Sequence, residues 1–322
     1  SYLTKMARGR APPPIEPVAH GSAPIFITVL VCWILPIILS IWTGRKAKAQ
    51  YAAAKAQRAA VQAKAAAHLK SKTYLVVGAS SGLGLELTKQ LAARGSKVYA
   101  TCRNPSVAIK ALVARKGNEN VTLVPNVDIT SDKVGKVLAD ALKGVTIDVL
   151  VHNAGSYDGG VGKFTDPQAL FASQKLDAVT METMKAVFEV NTFGALRVCK
   201  ALHSSMASPG GKIAIVSTQL GSIDDNTSGG SYAYRSSKAA LNIIGKSLSC
   251  DLKEKGIAVQ LLAPGFVATS FGPGVEAMKK MGAKDVEPSV VGIVEALDAM
   301  GMESTGCFMH TNYGLGLKKS AW

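Results

Sequence analysis

TYLVVGASSGLGLELTKQLAAR, residues 73–94, is the stretch whose reading decides the fold. Residues 73–78 form a short β-rich apolar run. From Leu85 onward, Leu85, Leu87, Leu91 and Ala92 mark an amphipathic helix that Gly95 stops. Strand, glycine turn and helix therefore follow one another, with glycines at 78, 82 and 84. Gly78 permits the tight turn, Gly82 lets the backbone approach a pyrophosphate, and Gly84 lets the helix pack against the strand. Ser80, Ser81 and Leu83 complete the loop, and the helix N-terminus behind it presents unpaired N–H groups to phosphates. Glycines set between a strand and a helix, with a second strand over 97–102, point to a dinucleotide-binding unit.

That second strand ends at Cys102-Arg103, where an NAD-binding fold would offer Asp or Glu to the ribose 2′-hydroxyl. A guanidinium pairs instead with a 2′-phosphate, which favours NADP(H) over NAD. Further strands are expected over 121–124, 145–151, 212–217 and 257–263, and helices over 131–143, 181–207, 233–254 and 288–300. The alternation predicts an α/β fold, a doubly wound Rossmann-type parallel sheet forming one domain over 73–322.

Tyr234-Arg235-Ser236-Ser237-Lys238 sets a phenol and an ammonium four residues apart, on one face if the segment is helical. A cation beside a phenol lowers its pKa, making Tyr234 a candidate acid/base for a carbonyl/alcohol pair. The pair lies about 150 residues beyond the glycine loop and follows a hydroxyl-bearing strand end, Val216-Ser217-Thr218.

With these motifs in this order, residues 73–322 resemble the short-chain dehydrogenase/reductase family. The matching stretches are Gly78–Gly84, Asp128 in Val127-Asp128-Ile129, Asn153-Ala154-Gly155, Asn191, Ser217-Thr218, Tyr234/Lys238, and Pro264-Gly265 with Val267 and Thr269. The long 217–234 loop, YRSSKAALN and Trp322 look most like the C-factor/sniffer branch of carbonyl reductases. The resemblance implies that Tyr234 is the acid/base and that Lys238 lowers its pKa and holds the nicotinamide ribose. It implies that Asn191 positions a relay water, that Asp128 contacts the adenine, and that Ile129, Asn153, Ala154 and Gly155 bind or line the cofactor. Pro264, Gly265 and Val267 join them, and Thr269 reaches the carboxamide. A homodimer of the family type is expected where the chain is not held in a larger complex.

Two departures stand out. Thr218 occupies the place where the family usually carries a substrate-binding Ser; it keeps the hydroxyl but is stiff at χ1, with Ser217 or Ser222 as substitutes. His152 replaces the first Asn of the family's Asn-Asn-Ala-Gly run and reads as a packed side chain. Residues 266–285, with Gly272-Pro273-Gly274, Met278 and Met281, are expected to form a mobile apolar lid, which favours a hydrophobic carbonyl substrate.

The charge has another origin. The 322 residues carry 37 basic and 22 acidic side chains, a net charge of +15. Residues 1–72 hold eleven of the Lys/Arg and a single acid, Glu16, so two-thirds of the excess sits there. Residues 23–42, APIFITVLVCWILPIILSIW, are uncharged and as a helix would span ~30 Å, a bilayer's hydrocarbon thickness. Three basic residues precede this span and eight follow over 43–72, which puts the C-terminal bulk on a cytosolic, stromal or matrix side. A chloroplast thylakoid or mitochondrial inner membrane is favoured, with the endoplasmic reticulum also open. Residues 1–22 read as an extended arm. The Ala-rich run 45–70 reads as a basic helix of ~39 Å, a stalk or a docking element for the subunits of a membrane complex. Nucleic acid is disfavoured, since Tyr51 is its only aromatic. The five cysteines form no CxxC pair and the histidines no metal-ligand spacing, so neither disulfide nor metal is expected. The alternative to an enzyme is a structural subunit of an organellar membrane complex that keeps this fold and a bound NADPH.

Overall fold

The computed structural model describes residues 72–161, 166–272 and 274–322. The expected arm (1–22), membrane span (23–42) and basic helix (43–72) lie outside them, Lys72 apart. Among the described residues no helix is long and apolar enough to cross a membrane.

The described chain begins with β1 (Thr73–Val77), α1 (Gly82–Ala93), β2 (Lys97–Thr101), α2 (Val107–Ala114), β3 (Val121–Val124), α3 (Val134–Ala141) and β4 (Val149–His152). It continues through α4 (Pro167–Ala172), α5 (Met181–Phe188), a π-helical turn (Glu189–Phe193), α6 (Gly194–Leu202) and β5 (Lys212–Val216). Then come α7 (Tyr232–Asp251), β6 (Ala258–Ala263), α8 (Val275–Lys280), α9 (Val286–Ala299), β7 (Phe308–His310) and β8 (Lys318–Lys319).

The strands form one sheet in the order β3-β2-β1-β4-β5-β6-β7-β8. All neighbours are parallel except β7 and β8. A parallel sheet covered on both faces needs strands apolar on both sides, which is why TYLVV reads as an unbroken run. Tyr74 and Val76 of β1 join Leu87 and Leu91 of α1 and Ile293 of α9 on one face. Leu75 and Val77 join Leu138 of α3, Val198 and Leu202 of α6 and Leu241 of α7 on the other. Each fully buried Leu or Val contributes about 1.5–3 kcal/mol, so this two-sided burial is the main stabilising term. The strand order runs outward from β1 to β3 and resumes at β4 on the opposite side, so a crevice opens where the C-terminal ends of β1 and β4 diverge.

Two expected elements are revised. The strand over 145–151 starts at Val149, because Gly144 (φ +74°) turns the chain and Val145 N–H closes back on Leu142 O. The helix over 181–207 is interrupted at Glu189–Phe193, where a π-helical turn brings Asn191 and Thr192 into the interior. There the Thr192 hydroxyl donates to Ser237 O of α7 at 2.9 Å. The other expected helices keep their positions with ends shifted by up to three residues.

Candidate active site

The β1–α1 turn is shaped by contacts that only glycine allows. Gly78 adopts φ +83°, and a Cβ there would lie 2.7 Å from Ala154 Cα. A Cβ on Gly84 would lie 2.1 Å from Gly78 O, the close helix–strand approach expected of the third glycine. Gly82 (φ +54°) packs against the Thr269 side chain. Asn153 Nδ2 donates to Gly78 O at 2.9 Å, tying the end of β4 to the turn. Ser81, the N-cap of α1, is extended and its side chain makes no capping bond, so the helix N-terminus stays available to an anion.

This turn opens one continuous cleft of about 820 Å³. Gly78, Ser80, Ser81 and Leu83 line it at one end, beside Arg103, Asp128 and Ile129. Asn153, Ala154 and Gly155 follow, then Thr218, Tyr234 and Lys238, with Pro264, Gly265, Val267 and Thr269 opposite. Gly82, Gly84 and Asn191 are not among the lining residues, but each touches one: Gly82 packs against Thr269, Gly84 against Gly78 O, and Asn191 holds Ser156. Asp128 accepts from Thr130 N–H at 3.0 Å and the Thr130 hydroxyl at 2.7 Å. These bonds, the hydroxyl first, hold its carboxyl below the ordinary value, with a smaller contribution from Arg103.

Tyr234 and Lys238 lie one turn apart on α7, both buried, as their spacing predicts. The Lys238 ammonium donates to Val216 O at 3.0 Å and stands 6.0 Å from the Tyr234 ring centroid. The phenol stands above its ordinary value, not below it, and Lys238 is not among the groups that shift it. Burial pushes Tyr234 above its ordinary value, Tyr157 adds to the effect, and a hydrogen bond with the Thr218 hydroxyl opposes it. The ammonium is turned to a carbonyl, so loss of water around the phenolate dominates. Burial also draws Lys238 itself down from 10.5 to about 8. Thr218 lines the cleft together with Tyr234. Ser217 is buried against Asn242 Oδ1 at 2.6 Å, and the Ser222 hydroxyl donates to Trp322 O at 2.9 Å, so neither substitutes for it.

Asn191 is fully buried and its amide is committed to protein partners. Its Oδ1 accepts from Ser156 N–H at 2.8 Å, and Nδ2 donates to Ser156 O at 2.8 Å and to Ser237 Oγ at 3.0 Å. The geometry is that of a clamp between the loop after β4 and α7. His152 is packed, as expected: it is buried, neither ring nitrogen has a hydrogen-bond partner among the described residues, and burial holds its pKa down to about 3.

Sequence reasoning missed an aromatic wall around Tyr234. Tyr157 lies 4.9 Å from the Tyr234 ring, Phe271 lies 5.8 Å from it, and Phe171 of α4 meets Tyr157 edge-on at 5.5 Å. These residues come from three separate segments and share no periodicity, so no local pattern reveals them. In the expected lid, α8 brings Met278 onto the cleft while Met281 is exposed. The base of that segment is closed by Ala268 N–H to Lys284 O at 2.8 Å and Lys284 N–H to Phe266 O at 2.9 Å.

Comparison with known proteins agrees with this geometry. Residues 72–280 match the family described as short chain dehydrogenase. The 1-hydroxy-2-glutathionyl-2-methyl-3-butene dehydrogenase of Rhodococcus sp. (strain AD45) is 32% identical over 245 residues, covering 74% of this chain and 96% of that protein. The NADPH-bound carbonyl reductase from chicken fatty liver superposes with a TM-score of 0.63 at 27% identity, covering 78% of this chain and 99% of that one. The carbonyl reductase Sniffer of D. melanogaster gives a TM-score of 0.61 at 28% identity, covering 78% and 100% respectively. The chain belongs to the short-chain dehydrogenase family of oxidoreductases.

Proposed function

We propose that this chain reduces an apolar carbonyl compound, or oxidises the matching alcohol, with NADP(H) as cofactor and Tyr234 as acid/base. The observation that carries the reading is the meeting of Tyr234, Thr218 and Lys238 in the same cleft that begins at the glycine turn.

The residues present fit a dinucleotide phosphate. The α1 N-terminus lacks a side-chain cap, and Gly78, Ser80 and Ser81 line the cleft beside it. Residues 78–84 would hold the pyrophosphate, the exposed Arg103 the 2′-phosphate, and Asp128 with Ile129 the adenine. Residues 153–155, Lys238, Pro264, Gly265, Val267 and Thr269 would hold the nicotinamide half. Bound NADP(H) supplies the hydride in reduction and takes it up in oxidation.

The chain's own part is proton transfer and orientation. A phenol raised by burial keeps its proton at neutral pH and can give it to the substrate oxygen. Lys238, charged below about 8, stabilises the phenolate left behind. The Thr218 hydroxyl draws the phenol back toward its ordinary value, and the wall of Tyr157, Phe171 and Phe271 excludes water and suits an apolar substrate. Tyr234→Phe should lower NADPH-dependent turnover of an aromatic aldehyde by at least about a hundredfold, with NADPH affinity unchanged. Undiminished turnover would reject the assignment.

Anchoring by residues 23–42 belongs to the same proposal, with the family domain on the stromal, matrix or cytosolic side of an organellar membrane. Retention in the membrane pellet after alkaline carbonate extraction is the expected result; release to the supernatant contradicts it. The basic run 45–70 favours a second reading, in which the chain docks on a membrane complex as an accessory subunit. Purification in mild detergent as nothing more than a free dimer would count against that reading.

A further inference from the structure

Gln174 follows α4 and is fully buried. It reaches two sides of the cleft at once. Its carbonyl accepts from Tyr232 N–H at 3.2 Å and its Oε1 from Tyr234 N–H at 3.1 Å. Its Nε2 donates to the carbonyl of Tyr157. The N-terminus of α7 needs such partners, because the N-cap residue does not supply them. Ser231 adopts a left-handed conformation (φ +50°, ψ 38°) and makes no side-chain capping bond. Its hydroxyl is bonded instead to the Tyr157 phenol at 2.6 Å. The Tyr234 N–H, which a capping Ser, Thr or Asp at position 231 would ordinarily satisfy, is thus taken by a residue 60 positions earlier. Left-handed backbone at a non-glycine residue persists where the surroundings over-determine it, and it clusters at functional sites. Here Tyr157 and Gln174 together provide that constraint.

We infer that Gln174 is a positioning residue: it sets the Tyr234 phenol relative to the cleft and couples it to the Tyr157 loop and α4. The inference rests on Tyr234 acting as proposed above. A displaced first turn of α7 would move the phenol while leaving the glycine turn, Arg103 and Asp128 untouched. The signature is therefore a loss in turnover without a loss in cofactor affinity.

The test uses the full chain with NADPH and nitrobenzaldehyde. Gln174→Met, which removes both side-chain bonds at similar volume, should lower kcat by about tenfold or more, since small misplacements of reacting groups are costly. NADPH affinity, read by fluorescence titration, should stay within about twofold. Amide hydrogen exchange should speed up over residues 231–236 and stay unchanged in the rest of α7. Gln174→Glu keeps the acceptor for the Tyr234 N–H and should lose less kcat than Gln174→Met; if the Met variant does not fold, Gln174→Asn, too short to reach both partners, is read by the same criteria. A kcat within about twofold of the parent, or exchange that rises equally along all of α7, overturns the inference. If the parent protein itself fails to reduce the aldehyde, the proposed function is rejected and the exchange pattern alone decides. Acceleration confined to 231–236 then supports the positioning role, and no change or a uniform change overturns it.

Discussion

Lys238→Met separates what the buried lysine does for function from what it does to stability. The side chain is 4% exposed, and its ammonium donates to Val216 O at 3.0 Å. Burial draws its pKa from 10.5 to about 8. Between those two values the unfolded chain holds a proton that the folded chain has released, so stability rises with pH. The contribution is present in full above about 10.5 and is lost as the pH falls through about 8. With a limiting slope of about 1.4 kcal/mol per pH unit, the gain between pH 7 and pH 10 is roughly 2–3 kcal/mol. Two neighbours do not confuse this window: His152 is neutral throughout, and Tyr234, raised above its ordinary value, is present in parent and variant alike and drops out of their difference. The assay is urea unfolding followed by circular dichroism across that pH range, for parent and variant without added nucleotide. The Met variant lacks the titration, so the parent's stability relative to it should grow by that amount from the lower to the higher pH. Parallel curves would refute the claim that Lys238 is held in a desolvated site. In the same variant, carbonyl reduction should fall sharply at neutral pH, because nothing then stabilises the phenolate.

Two further outcomes follow from the cofactor end of the cleft. In Gly84→Ala, the added Cβ would stand 2.1 Å from Gly78 O and 2.7 Å from Asn153 Nδ2, so α1 must back away from β1. The expected loss is about 2–3 kcal/mol in urea unfolding, with weaker NADPH binding; an unshifted midpoint contradicts the packing argument. Arg103→Ala should raise the NADPH dissociation constant about tenfold while leaving NADH within about twofold, because only NADPH offers a phosphate to the guanidinium. Equal losses for both nucleotides would show that Arg103 does not read the 2′-phosphate.

What could be read along the chain was local. The glycine turn is legible because one strand, one tight turn and one helix N-terminus are consecutive in sequence. Tyr234 and Lys238 are legible because four residues make one helical turn. Arg103 is legible because it sits at a strand end whose position the preceding turn defines. The unbroken apolar runs of β1 and β4 already require a sheet covered on both faces.

What tertiary structure decided was everything that depends on which distant segments meet. The wall of Tyr157, Phe171 and Phe271 is assembled from loops and a short helix, with ring separations of 4.9–5.8 Å that no spacing in the sequence encodes. The π-helical turn that carries Asn191 inward breaks a segment with continuous helical patterning. The spacing predicts a Tyr234 phenol lowered by its neighbouring cation, yet it is raised, because desolvation by the surrounding fold dominates and the ammonium is turned to Val216 O. Gln174 carries no motif at all; it matters because folding brings its amide against the first turn of α7 and the Tyr157 carbonyl together. Sequence determines backbone periodicity and motif order, since those arise from neighbours. Burial, charge state and the company each side chain keeps arise from long-range packing, and only the folded chain decides them.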